Sequence, residues 1–166
     1  MGIKLILVLG LQALFFNSCK NLVVEGLVVK DSQQMHVVFR RCTDVKASKL
    51  TISAPESSPN TDGIHVTGSK SILIKDCIIE TGREHLQTHT NPQRQVKRSP
   101  SVIYRNIKGT SASEMAMEFD CSRSHPCGHI VLQEIELVGE GGAPATSFCR
   151  FFQWVEIGKI IPAPCA

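Results

Sequence analysis

The chain is poor in aromatic residues, which supply 5% of its 166 positions, with a single tryptophan and a single tyrosine. Its core must therefore come from branched aliphatics. These fall in short clusters, which favours many short strands over a few long amphipathic helices. Strong charge of either sign is also missing. The net charge is +3, the isoelectric point is near 8.5, and lysines and arginines are interleaved with acids. Nothing here resembles a nucleic-acid footprint. No Cys-x-x-Cys pair occurs and the histidines lack zinc-site spacing, so the linear sequence carries no zinc motif. Asn-Gly, the strongest signal for a two-residue hairpin, is absent as well, which argues against a β-sandwich of regular hairpins.

What is present is a repeat. At 42% hydrophobic residues, the chain is long enough for one domain with a real core. From Leu22 onward the pattern runs apolar, one residue, apolar, two residues, apolar, one residue, apolar. It appears as Leu22/Val24/Leu27/Val29, Val45/Ala47/Leu50/Ile52 and Ile72/Ile74/Cys77/Ile79, and then as Val102/Tyr104/Ile107/Gly109 and Ile130/Leu132/Ile135/Leu137. Each period-2 pair reads as a short strand, and the extra residue between pairs makes a corner. A two-strand unit recurring without helix signals predicts an all-β fold, the stacked coils of a parallel β-helix, with roughly five coils. Met35/Val37/Phe39, Ile64/Val66 and Met115/Met117/Phe119 supply a third strand in three of the coils. Lys20, Lys46, Lys70 and Arg105 are expected to face outward.

Three regions break the rhythm. Residues 1–12 form an apolar lead behind Lys4, in the manner of a signal peptide, but no small-x-small cleavage site follows. The competing reading makes Ala13–Phe16 the strand that begins the fold, and both stand. The solenoid is expected over residues 13–142, interrupted at 83–98 by a polar, basic stretch with almost no apolar residue, which reads as an exposed loop. Residues 143–166, rich in Gly, Ala and Pro, read as a C-terminal tail covering the open end of the stack. Among the seven cysteines, Cys121 and Cys127 are close enough to staple a small loop, and Cys149 and Cys165 to tie down the tail. Cys19, Cys42 and Cys77 fall in strand-like segments and read as core thiols. Two disulfides imply a secretory route; the alternative is a reduced intracellular chain.

The segment Ser58-Pro59-Asn60-Thr61-Asp62-Gly63-Ile64-His65-Val66 is a tight turn running into a short strand, with the carboxylate of Asp62 at its mouth. On local chemistry alone Asp62 is a turn residue bonding its own backbone. The coil repeat adds a second possibility. Glycoside cleavage needs two carboxyl groups flanking a sugar bond, and stacked coils can set carboxylates side by side. The neighbour of Asp62 one coil later falls near Thr81-Gly82-Arg83-Glu84.

With Thr81-Gly82 downstream, this segment resembles the plant polygalacturonases, the pectin-cleaving glycoside hydrolases of family 28. Cys19-Lys-Asn-Leu, Asp31-Ser-Gln-Gln-Met-His, Ile107-Lys-Gly-Thr-Ser-Ala and Phe119-Asp-Cys-Ser-Arg-Ser-His-Pro-Cys read like stretches of the same family, as does the ending in Pro164-Cys165. The resemblance implies a right-handed parallel β-helix of the pectin-lyase-like type. It implies hydrolysis of 1,4-linked galacturonan with inversion and no metal or organic cofactor. It also implies a secreted cell-wall monomer whose partner is polygalacturonate rather than nucleic acid or membrane. Asp62 matches the family aspartate that helps activate the attacking water. After Thr-Gly the family has paired aspartates and a cysteine, where this sequence has Arg83, Glu84 and His85. The family's Gly-His-Gly and Arg-Ile-Lys motifs have no counterpart, and Lys97-Arg98 lies in the polar insert. Glu84 is the remaining candidate for a second carboxyl, although Arg83 beside it favours its charged form, the wrong direction for a general acid. His85 and His89 are read as exposed loop histidines, and Asp120 as structural. Three functions compete: a shortened hydrolase, a pectin-binding β-helix that does not cut, and a decayed product whose coils do not stack.

Overall fold

The computed structural model describes residues 12–55, 58, 61–82, 85–89 and 101–165. Within them the strands run β1 (Gln12–Asn17), β2 (Lys20–Glu25), β3 (Val28–Lys30), β4 (Met35–Arg40), β5 (Thr43–Ser48), β6 (Thr51–Ser53) and β7 (Asp62–Thr67). They continue as β8 (Lys70–Thr81), β9 (Leu86–His89), β10 (Val102–Ser111), β11 (Met115–Asp120), β12 (Cys127–Gly139), β13 (Thr146–Arg150) and β14 (Phe152–Ile161), with a single 3-10 turn at Glu140–Gly142. All the strand pairs are parallel. One sheet orders β1-β4-β7-β9-β11-β13 and a second orders β14-β12-β10-β8-β5-β2, with β3 and β6 continuing its edge. Each coil contributes one strand to the first sheet and a bent strand, or two short ones, to the second. The molecule is a β-solenoid of about five turns.

The repeat in the sequence is the register of the ladder. Leu22, Val45, Ile72, Val102 and Ile130 are successive ladder partners, and so are Val24, Ala47, Ile74, Tyr104 and Leu132. Past the corner, Ile52, Ile79, Gly109 and Leu137 line up in the same way. From Val45 onward, nearly all of these side chains are fully buried. Burying each is worth about 1.5–3 kcal/mol, but one coil alone cannot cover its own inward face, so the coils must stack. The extra residue between the two pairs adopts a left-handed conformation: Lys49, Asp76, Asn106 and Glu134 have φ of 54, 55, 49 and 51°. That conformation turns the chain through the corner. Asn106 Nδ2 donates to Asp76 Oδ1 at 2.9 Å, joining two of these corners. Lys20, Lys46, Lys70 and Arg105 are exposed.

Three expectations change. Residues 85–89 do not belong to an exposed loop, because 86–89 are β9, paired to β7 and β11. Its backbone is satisfied by those neighbours, and Leu86, Gln87 and Thr88 are buried. Thr88 takes an inward position normally held by an aliphatic, and its hydroxyl meets the Tyr104 hydroxyl at 2.7 Å. Residues 90–98 of the expected insert, and 1–11 of the apolar lead, lie outside the described residues. The segment read as a tail supplies β13 and β14, which extend both sheets by one rung. Disulfides join Cys121 to Cys127 and Cys149 to Cys165. Cys77 sits within β8, but Cys19 and Cys42 occupy corners between strands. Burial pushes the Cys77 thiol up to about 11, which leaves it a packing residue rather than a nucleophile.

Candidate active site

Asp62 heads β7, half-buried. Its backbone N–H donates to Gln34 O at 2.9 Å, and its carbonyl accepts from His36 Nδ1 at 2.9 Å. His36 is fully buried, and desolvation lowers its pKa, keeping the ring neutral. Thr61, immediately before Asp62, is also fully buried. Its hydroxyl donates to Ser58 O at 3.1 Å and accepts from the Gly82 N–H at 3.1 Å. One hydroxyl thus fastens the Asp62 turn to the Gly82 turn of the next coil. The coils are also close here: a Cβ at Gly63 would lie 2.6 Å from His85 O, so only glycine fits. Arg83 and Glu84 follow Gly82 and lie outside the described residues, as does Asn60.

From Asp62 the outward face of the first sheet continues as a polar trough. On the side away from Ile64, Leu86 and Met117, His65, Gln87 and Glu118 form one ladder column and Thr67, His89 and Asp120 the next, with Gln87 itself buried by its neighbours. His65 Nδ1 donates to Gln87 Oε1 at 2.7 Å, and Gln87 Nε2 donates to Glu118 Oε2 at 3.3 Å. The rings of His65 and His89 stack with centroids 4.8 Å apart. Burial pushes the His65 pKa down to about 4; the Gln87 bond opposes this and the His89 ring adds to it. At the end of the column Arg150 donates to both carboxylate oxygens of Asp120, at 2.7 and 2.8 Å. An open groove of about 640 Å³ is bordered by Glu80, Thr81, Ser111 and Glu140, and Asp62 is not among its described lining residues.

The histidine readings change accordingly. His85 is fully buried, with Nδ1 3.0 Å from the Thr81 hydroxyl, and His89 is half-buried on the trough. Both were placed in a loop because the stretch around them lacks apolar residues. The ladder to β7 and β11 orders the first part of that stretch regardless of its polarity. Asp120, read from sequence as structural, pairs with Arg150 and faces outward on the same sheet. The sequence reading missed His65, Gln87 and Glu118. The signal available was parity: each is two residues from an outward neighbour on its own strand.

A stack of parallel coils with a carboxylate turn at the edge of a polar outward face defines a class, the parallel β-solenoids. The comparisons narrow it. A family model for the glycosyl hydrolases of family 28 matches residues 11–89. The chain is 31% identical to a polygalacturonase of Persea americana over 228 aligned positions, covering 82% of this chain and 49% of the relative. It is 28% identical to polygalacturonase-2 of Solanum lycopersicum, covering 83% and 50%. Over 70 residues it is 53% identical to a probable polygalacturonase of Arabidopsis thaliana, covering 42% and 15%. This chain belongs to glycosyl hydrolase family 28. It spans about half the length of the first two of these relatives. Their alignments also run longer than its 166 residues, so these relatives carry internal segments that this chain does not.

Proposed function

We propose that this chain acts on polygalacturonate outside the cell, hydrolysing 1,4-α-galacturonosyl bonds feebly, with Asp62 orienting the attacking water. The observation that carries the reading is the Thr61 hydroxyl bridge, which ties the turn bearing Asp62 to the turn where the family keeps its general acid. An inverting pair of carboxyls stands about 6.5–9.5 Å apart, and coils are stacked at about 4.8 Å. Neighbouring turns are therefore the right scale for the pair. Glu84 is the second carboxyl in this reading, and its sequence neighbour Arg83 favours the charged form over the protonated acid that the step needs. General acid catalysis suffers in proportion, and with it the rate. Reducing-end release from polygalacturonate tests the reading, with Asp62→Asn and Glu84→Gln as controls. Slow release that falls in both variants is expected. Release unchanged by Asp62→Asn would sink the catalytic role.

A second reading, a β-helix that holds the polymer without cutting it, is favoured by Arg83 and Glu84 standing where the family has two aspartates. Retention on a pectate column with no reducing ends released would establish that reading instead.

A further inference from the structure

We propose that His89, Glu118 and Asp120 form a binding site for a single divalent transition-metal ion of the zinc type. The three residues share the outward face of β9 and β11, and each offers a ligand atom within 4.8 Å of the other two. A point between three atoms so placed lies at most about 2.8 Å from each. Zinc bonds to imidazole and carboxylate are about 2.0–2.2 Å, so each donor closes by less than about 1 Å. Half-buried side chains make that adjustment by small torsional shifts. The donor set of one imidazole nitrogen and two carboxylate oxygens suits zinc, whereas calcium and magnesium take oxygen alone. Three protein donors leave the fourth position open to the trough.

Each donor is already aimed from outside the triangle. Gln87 holds Glu118, and its own orientation is fixed by His65. His65 stacks on His89, and Arg150 grips Asp120. Outer partners of this kind orient metal ligands and are worth ten- to hundredfold in affinity. Arg150 acts in two ways, since its guanidinium orients Asp120 but is also a cation competing for it. That competition gives the proposal a signature that adventitious surface binding lacks. The site is independent of the hydrolytic reading, because none of its three residues is assigned to the cleavage chemistry.

The test uses the untagged full chain after chelator treatment, titrated calorimetrically with zinc chloride and followed in parallel by the visible spectrum of cobalt(II). One equivalent should bind. His89→Ala and Glu118→Ala should each weaken binding at least about tenfold. His125→Ala/His129→Ala, which removes two histidines away from the site, should leave it unchanged, and Arg150→Gln should tighten it. Where His89→Ala fails to fold, His89→Gln reads the same loss. No zinc uptake by the natural chain, or equal uptake by the His89 variants, overturns the proposal. So does uptake that begins only in Arg150→Gln, because the guanidinium would then hold the site.

Discussion

The Thr88–Tyr104 contact gives the most direct test of where β9 lies. Tyr104 is fully buried and Thr88 is nearly so, and their hydroxyls meet at 2.7 Å between the two sheets. Tyr104→Phe strands the Thr88 hydroxyl in the core, and Thr88→Val strands the phenol. Each single change should cost about 1–3 kcal/mol, the desolvation penalty of one unpaired buried hydroxyl. The double variant replaces both partners by apolar groups of the same shape, which is nearly neutral. The double variant should therefore be more stable than either single variant, with a coupling energy of about 2–6 kcal/mol, the sum of the two single costs. For a chain of this length that is roughly 2–4 °C in Tm per kcal/mol. Urea and thermal unfolding followed by circular dichroism measure it. Tyr104 is the only tyrosine, so its phenolate absorption gives a site-specific second readout. Burial raises its pKa well above the ordinary value, and the absorption should appear only as the coils open. If the two single costs simply add, the hydroxyls do not meet. The polar stretch would then not occupy the sheet in this register.

Thr61→Val keeps shape but removes the bridge to Ser58 and Gly82; we expect a loss of about 1–3 kcal/mol, with Thr61→Ser close to the natural chain in urea unfolding. His65 has a folded pKa near 4, below the ordinary value of 6.5, so the unfolded chain binds the extra proton between those values. Stability should therefore fall as pH drops from about 6.5 to 4, by up to about 3 kcal/mol from this residue, and His65→Gln should flatten the slope. The Cys149–Cys165 bridge spans 16 residues and Cys121–Cys127 spans 6. Loop closure then predicts losses of about 3 and about 2 kcal/mol for the respective Cys→Ala pairs, an order that denaturant midpoints check. At Gly109 a Cβ would overlap the Ile79 carbonyl oxygen, so Gly109→Ala should cost about 3 kcal/mol or more, or abolish the cooperative melt.

The solenoid was legible because its inward positions obey two rules at once, period 2 within a strand and a fixed phase between coils. Ile72/Ile74/Cys77/Ile79 meets both, and its ladder partners are the neighbouring repeats. β9 was not legible because only Leu86 marks it as apolar. Its spacing of 22 residues from Ile64 falls just short of the 23 to 30 that separate successive repeats, so spacing did not mark it either. Spacing would have found β14, where Trp154 lies 24 residues after Ile130, but the Gly-, Ala- and Pro-rich approach suggested a tail. At the site, Asp62 stood out through its turn residues. The trough did not, because His65, Gln87 and Glu118 are brought together by lateral ladder contacts between strands far apart in sequence. His89 and Asp120 likewise become neighbours only through the register. A search for metal motifs along the chain had no spacing to find.

The left-handed corner at Lys49, Asp76, Asn106 and Glu134 recurs at the same point of successive turns. Every turn therefore enters and leaves with one geometry, and a complete turn is an interchangeable part. Adding or removing a turn at equivalent points keeps this corner geometry, while close approaches such as Gly109 against Ile79 decide which turns can be neighbours. Length in this architecture can change in whole-turn steps while the cross-section of the core stays the same. A relative of twice the extent and this chain can thus share one cross-section, and differ in which outward-facing residues the added or missing turns bring side by side.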